Sequence, residues 1–270
     1  MGFVAADCKA LQQLLISLGQ EPGPVDGVYG NQTRTALYTA RNEHHQADDV
    51  PIYLTGLDLS GWNPRGSGID WQKVQAYGIA FGWVKISQDD NYHSKKSSGQ
   101  LDGFRSIGAP VGGYHFGDLK DNAHLGPKAA ALAEAEQFLA HYKPQPGDLV
   151  PCLDIESGFD KSTDDDNVAF CLEWNRIICQ ELGCSATIMY SARWATRSRL
   201  LGAKDKAALS ELGKLPLWWA EYDNERDKPL DPWKACAVWQ YTGHGSVPGI
   251  KGRVDLNKAT AQSIEQLRLS

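Results

Sequence analysis

From Ile52 onward, short apolar runs alternate with longer segments whose apolar residues recur at helical spacing. The runs are residues 53–59, 79–86, 111–116, 149–155, 186–190, 217–221, 236–241 and 253–256. Continuous stretches such as Ala186-Thr-Ile-Met-Tyr190 suit strands buried on both faces of a parallel sheet. Between them, Pro127 opens a helix that passes through an Ala-rich stretch to Tyr142, since proline in a first turn forfeits no helical hydrogen bond. Asp164 to Asn167 cap a second, which carries Val168, Cys171, Leu172, Ile178 and Leu182 and stops at Gly183. A third covers about residues 204–212. A strand–helix–strand unit needs roughly 30 residues. The first five intervals have room for a helix, but after the sixth run they shrink to turn-rich connections such as Asp223 to Pro232. The pattern predicts an α/β fold over residues 49–270, a modified (β/α) TIM-like barrel with helices missing between the last strands. An open doubly wound sheet is the alternative.

Residues 1–48 read as a separate, small all-α domain with a short linker. Leu11, Leu14, Leu15 and Leu18 recur at helical spacing, and Gly19 ends the run. A turn-rich loop from Glu21 to Gly30 follows. Asn31 or Thr33 caps a second helix through Ala36, Leu37 and Ala40, and His44 to Asp49 is a polar linker. So small a unit has a marginal core unless it docks on its neighbour.

A net charge of −6, with no basic cluster beyond Lys95-Lys96, argues against nucleic acid and against a polybasic membrane anchor. No apolar run approaches the ~20 residues of a membrane span. Met1 to Asp7 lack a basic n-region and an apolar h-region, so no secretory leader is expected. The six cysteines show neither a Cys-x-x-Cys pair nor zinc-like spacing, and they read as reduced thiols. No metal or organic cofactor is expected.

Leu149 to Glu156 ends in Asp154 and Glu156, one residue apart. On a strand such residues share a face, with α-carbons roughly 6–7 Å apart. Two carboxyl groups at a strand end can divide acid and base roles, as glycosidic cleavage requires. In a barrel, the C-terminal strand ends line one pocket. They bring Asp58 and Ser60, Lys85 and Ser87, Tyr114 to Phe116, Asp154 and Glu156, Tyr190, Trp219 and Glu221, Gln240 and Tyr241, and Asp255 and Asn257. Carboxylates, aromatic rings and amides suit a sugar site, and nine Trp residues point mildly the same way. Each residue also has a plainer reading: Asp58 and Asp255 as loop caps, Tyr114 and Trp219 as core, His115 as a packed or carbonyl-bonded side chain.

Taken in order, the strings Gly56-Leu-Asp58-Leu-Ser60, Phe81-Gly-Trp-Val-Lys85, Gly113-Tyr-His-Phe116, Leu153-Asp154-Ile-Glu156, Leu217-Trp-Trp-Ala220, Trp239-Gln-Tyr241 and Val254-Asp255-Leu-Asn257 resemble glycoside hydrolase family 25, the Chalaropsis-type lysozymes. The resemblance implies hydrolysis of the β-1,4 bond between N-acetylmuramic acid and N-acetylglucosamine in bacterial peptidoglycan. It makes Glu156 the catalytic acid and Asp154 the carboxylate that assists the substrate's acetamido group or stabilises positive charge. Asp58 and Asp255 match two further acids of the site, and Tyr114, Tyr190, Trp219 and Gln240 match substrate contacts. Two departures stand out. Trp62-Asn63-Pro64 follows the first strand where the family usually has Gln, and Ile86-Ser-Gln-Asp89 replaces Ala-Thr-Glu-Gly, with Asp89 a candidate for the missing acid.

The N-terminal unit resembles the peptidoglycan-binding module PG_binding_1, which implies wall contacts from Asp26, Gly27, Tyr29, Gly30 and Thr33. The whole implies a monomeric phage-type endolysin, held in the host cytoplasm until membrane permeabilisation and then acting on the wall. The alternatives are a bacterial autolysin, a non-catalytic wall-binding protein on a degenerate barrel, and a chitinase-like hydrolase or lytic transglycosylase.

Overall fold

A computed structural model describes residues 5–17, 19–26, 30, 32–33, 35–37, 53–222 and 229–269. Its strands are β1 (Tyr53–Leu59), β2 (Ile79–Gln88), β3 (Tyr92–His93), β4 (Val111–Phe116), β5 (Cys152–Ile155), β6 (Ile188–Ala192), β7 (Leu217–Ala220), β8 (Val238–Gly245) and β9 (Val254–Thr260). They form one sheet, and an additional β1–β2 pairing closes eight of them into a barrel. The two-residue β3 hangs antiparallel on the end of β2.

All eight apolar runs read from the sequence become barrel strands, with two differences. The 149–155 run pairs as a strand only from Cys152, because Pro151 has no N–H for the ladder; Leu149 makes an isolated bridge to Arg268. The second concerns direction. β1 to β8 are parallel wherever they neighbour one another around the barrel, whereas β9 runs antiparallel to both β8 and β1. Among the described residues no helix lies between β7 and β8 or between β8 and β9. The connection from Gly245 to Val254 is too short for a crossover and permits only a reversal, whereas the longer one from Ala220 to Val238 returns parallel.

The helices are α1 (Ala5–Ser17), α2 (Trp71–Tyr77), α3 (Ser97–Ser106), α4 (Leu119–Asn122), α5 (Pro127–His141), α6 (Asp164–Leu182), α7 (Arg193–Arg199), α8 (Lys206–Leu212) and α9 (Ala261–Gln266). Thr163, rather than an Asp, caps α6, its hydroxyl accepting from the Asp166 N–H at 3.1 Å. Gly183, at φ +69°, ends that helix in the left-handed conformation that glycine adopts freely.

Strand alternation divides the core into two layers. Val84, Ile86, Leu153, Ile155 and Met189 point outward against helices that supply Phe138 and Trp174. Phe81, Trp83, Cys152, Ile188, Tyr190 and Trp218 fill the interior. The interior is tight: a Cβ at Gly112 would lie 2.3 Å from Trp83 Nε1, so only glycine lets that indole cross the barrel to donate to the Val150 carbonyl.

In the N-terminal unit, Leu15 and Ala36 are buried, with Leu11 and Leu37 against them. Leu14, read from the sequence as a core position, faces solvent instead, and Cys8 is buried on the inner face. Residues 38–52, which include the linker, lie outside the described residues.

Candidate active site

Strand parity decides which side chains meet. Leu57 and Leu59 pack outward, so Asp58 between them points inward; Leu153 and Ile155 do the same for Asp154, and Val254 and Leu256 for Asp255. Asp58 and Asp255 are register partners across the β1–β9 pair. Glu156 follows the last residue of β5 and leads into a 3-10 turn, Ser157–Phe159. Asp255 reaches this mouth from the start of its strand. The strand pattern predicts a C-terminal strand end for Asp255; because β9 is reversed, its first residues lie at the mouth instead.

A polar web holds Asp58. Its Oδ2 accepts from Asn257 Nδ2 at 2.9 Å and Gln240 Nε2 at 3.2 Å. Gln240 Oε1 in turn accepts from the Tyr190 and Tyr222 hydroxyls at 2.9 and 2.8 Å. Asn257 Oδ1 accepts from Trp218 Nε1 at 2.8 Å. Asp255 is near enough that its charge works against ionisation of Asp58. Asp154 differs: its buried Oδ1 finds no donor among the described residues.

Burial is the first cause of the shifts at all four acids. It lifts Asp58 well above the ordinary carboxyl range, reinforced by the charge of Asp255 and opposed by the Asn257 and Gln240 donors. It lifts Asp154 similarly, with Glu156 the next contributor and Lys85 acting against. Glu156 is raised by burial and then by Asp255, again with Lys85 opposing. Asp255 is raised by burial, against Asp58 and His244. Lys85 is the cation facing this group. Its Nζ donates to Gln88 Oε1 at 2.7 Å and lies 4.5 Å from the centre of the Phe116 ring. Burial pushes it down, and Asp154 and Glu156 pull it back up.

Tyr114, Tyr190 and Gln240 join the four acids. The fields of Asp58 and Asp154 reach both tyrosines, whose hydroxyls are raised chiefly by burial. Trp219 does not join them. It is 0% exposed in the outer layer, with the Arg193 guanidinium 5.7 Å from its ring centre. Its neighbour Trp218 faces the interior, stacking near Trp83 and edge-on to Tyr190. In Leu217-Trp-Trp-Ala220 a one-residue difference in parity exchanges the two indoles. Tyr222 is a member that the sequence does not mark; Asn257, expected at the strand ends, sits two residues past Asp255 on the same face and joins through Asp58.

Asp89 does not replace the family's missing acid. It accepts from Asn122 Nδ2 at 2.6 Å and the Asp90 N–H at 2.8 Å and is consumed in bracing its own loop, at φ +53°. Gln88 instead occupies the position beside Lys85. His115 lies on the outer face of β4: Ser87 Oγ is 2.8 Å from Nδ1, and Glu134 Oε2 is 2.7 Å from Nε2. The spacing is that of a hydrolytic triad, but all three residues are 0% exposed, so no substrate reaches them.

In the N-terminal unit Gln12 Nε2 donates to Asp26 Oδ1 and Thr33 Oγ1, both at 3.1 Å. Asp26, Gly30 and Thr33 line a cleft of about 380 Å³ together with Gln75 and residues 106–108 of the barrel. Gly27 and Tyr29 lie outside the described residues. Among the described residues, no group of three or more His, Cys, Asp or Glu side chains is arranged to hold a metal ion, and no helix is long and apolar enough to cross a membrane.

Carboxyls whose hold on a proton is strengthened by burial, at the mouth of a closed barrel and flanked by aromatic rings and amides, suit a glycosidase-type site. The family model for Glycosyl hydrolases family 25 matches residues 57–250, and that for Putative peptidoglycan binding domain matches residues 5–40. The chain belongs to glycosyl hydrolase family 25. Lysozyme M1 of Streptomyces globisporus is 24% identical over 282 residues, covering 100% of this chain and 90% of that protein. The bacterial lysozyme from Streptomyces coelicolor superposes with a TM-score of 0.66 at 20% identity, over 82% of this chain and 98% of the other. The CTP1L endolysin does so with a TM-score of 0.61 at 22% identity, over 79% and 69%. The last two likenesses establish the shared fold. The protein is thus a glycoside hydrolase of the bacterial cell wall.

Proposed function

We propose that the chain is a muramidase, which cleaves the β-1,4 bond between N-acetylmuramic acid and N-acetylglucosamine with the substrate's own acetamido group as nucleophile. The observation that carries this reading is Asp154 Oδ1, a buried acceptor without a donor, beside a carboxylic acid whose proton is held by burial. A buried acceptor left unpaired is costly unless a ligand completes it. An acetamido N–H is such a donor.

In this mechanism Glu156 gives its proton to the glycosidic oxygen as the C1–O bond breaks. The acetamido carbonyl oxygen attacks C1 and forms a cyclic oxazolinium, whose N–H is held by Asp154. Water then attacks C1 and passes its proton to Glu156, which restores the acid and the acetamide. The Asp58–Asp255 pair, with Asp58 fixed by Asn257 and Gln240, accepts sugar hydroxyls and stabilises positive charge at C1. Tyr114 and Tyr190 wall the same subsite.

The test is mass spectrometry of borohydride-reduced products from purified peptidoglycan. Ends in reduced muramic acid, absent with Glu156→Gln, are expected. Reduced glucosamine ends, anhydro ends or free stem peptides would assign a different enzyme, and no products would favour a wall-binding protein on an inactive barrel.

The pairing of a wall-binding module with a hydrolase supports a further reading, that of a phage-type endolysin that waits in the host cytoplasm for a membrane pore. Expression without a pore-former should leave cells intact, and chloroform should then trigger lysis. Lysis without permeabilisation would refute the cytoplasmic location.

A further inference from the structure

Beside the cleft mouth, the turn after β1 and the segment around β3 enclose a groove of about 370 Å³, lined by Gly61, Arg65, Asn91, Tyr92, His93, Ser94, Lys95 and Lys96. Three of these carry fixed positive charge and none is a carboxylic acid, in a chain of net charge −6. Neither Arg65 nor Lys95 forms an ion pair with a described residue. The groove also adjoins the catalytic acids: Tyr92 lies 5.9 Å from Lys85 Nζ, and Lys85 feels the charges of Asp154 and Glu156.

The walls are braced. Lys96 Nζ donates to the carbonyls of Gly61 and Asn63, the latter at 2.7 Å. Gln100 Nε2 donates to those of Ser60 and Pro64 at 3.2 and 2.9 Å. Asn63 Oδ1 accepts from the Ser60 N–H at 2.8 Å. Arg65 Nη1 reaches the Lys95 carbonyl at 3.4 Å and ties the two segments together. This bracing holds Trp62 98% exposed at the crest of its turn, where a monomer gains nothing from an indole. The first wall flanks Trp62-Asn63-Pro64, one of the two places where the chain departs from the family strings.

We infer that this groove is a subsite for the peptide stem of the substrate, with Arg65 and Lys95 receiving a stem carboxylate while the glycan occupies the cleft. A concave, basic wall concentrates anions, and guanidinium pairs with carboxylate through two parallel bonds. Peptidoglycan carries its carboxylates on the stem, one branch away from the sugar being cleaved. Tyr92 and Trp62 offer apolar faces to the same branch. The inference rests on the muramidase reading.

The test is the double variant Arg65→Gln/Lys95→Ser, which removes both charges, keeps an N–H donor at position 65 for the Lys95 carbonyl and leaves the bracing Lys96 in place. Its substrates are sacculi freed of phosphodiester polymers by hydrofluoric acid, and the same sacculi stripped of stems by an N-acetylmuramoyl-L-alanine amidase. On stem-bearing sacculi kcat/KM should fall about tenfold, mostly through KM, and the wild-type advantage should shrink as salt rises. On stripped glycan the two proteins should match, with the same melting temperature. Equal loss on both substrates, or no loss on either, overturns the subsite. Binding is read separately by NMR titration of the intact protein with free tetrapeptide stem. Shifts at Tyr92 that vanish in the double variant support the subsite even if no cleavage occurs, in which case the muramidase reading alone fails. Absence of shifts, or shifts produced equally by glycerol phosphate, overturns the stem assignment.

Discussion

Two clusters of polar and charged side chains occupy opposite faces of the barrel sheet. On the outer face Ser87, His115, Glu134 and Asn122 interlock, and Glu134 also accepts from the Asp118 N–H at 3.1 Å. On the inner face Asp58, Asp154, Glu156 and Asp255 crowd together with Lys85 as their facing cation. The outer cluster is fully buried and ties β2, β4 and α5 together. The inner one is partly open and leaves an acceptor of Asp154 without a donor. Satisfied networks hold a fold; groups kept expensively unsatisfied mark where a ligand is expected. By residue type alone, the outer Ser-His-Glu set looks the more catalytic of the two.

The sharpest break of this contrast is Glu156→Gln. Loss of the acid should cost at least 10³-fold in turnover, about 4 kcal/mol in the barrier, with no fall in melting temperature. The alkaline limb of the wild-type rate profile should lie above the ordinary 4.5 of glutamate, because burial and Asp255 hold its proton. A near-normal rate would remove Glu156 from the mechanism.

Next is Glu134→Ala, which strands a His115 ring nitrogen and the Asp118 N–H. We expect a loss of about 3 kcal/mol of stability, read by urea or thermal unfolding, while the folded fraction keeps wild-type activity. Specific activity falling with the fold intact would mean that the outer cluster reaches the chemistry.

Asp154→Asn should do the reverse on both counts. The native state holds this proton more tightly than the unfolded chain, whose pKa is near 3.8. Wild-type stability therefore falls as pH rises from that value through the raised folded one, and levels off above it. The amide should accordingly melt higher than wild type at pH 7, by about 1–2 kcal/mol, with the gain shrinking toward pH 4, while activity drops. An unchanged or lower melting temperature at pH 7 would show that the ionised carboxylate is already compensated. Smallest is Tyr222→Phe, which removes one of the two hydroxyls on Gln240 Oε1. It should raise KM a few-fold, about 0.5–1 kcal/mol; a large drop in kcat would give Tyr222 a more direct part.

Much of the inner cluster was legible because carboxylates alternate with Leu, Ile and Val: Leu57-Asp58-Leu59, Leu153-Asp154-Ile155 and Val254-Asp255-Leu256 each declare their own parity. Leu217-Trp-Trp-Ala220 declares none, since both indoles are apolar, and Trp219 was placed inward when packing sends it outward. Strand direction was also illegible: a period of two is the same read forward or backward, so the reversal of β9 appears only in the pairing. The mouth segments 60–65 and 88–96 owe their shape to side chains such as Lys96 and Gln100 reaching distant carbonyls, and local sequence carries no mark of such pairs. Leu14 misled for a simpler reason: a helix with a narrow apolar stripe leaves some leucines outside it.

The reversed last strand also settles where attachments go. Because β9 runs against its neighbours, the chain leaves the barrel at the end where it came in: Thr260 lies opposite Tyr53, and Leu269 is stitched to Asp148 ahead of β5. The cleft lies at the far end. Anything grafted onto either flank of the barrel begins on the side remote from the scissile bond, so targeting modules can be exchanged, stacked or trimmed without remodelling the mouth.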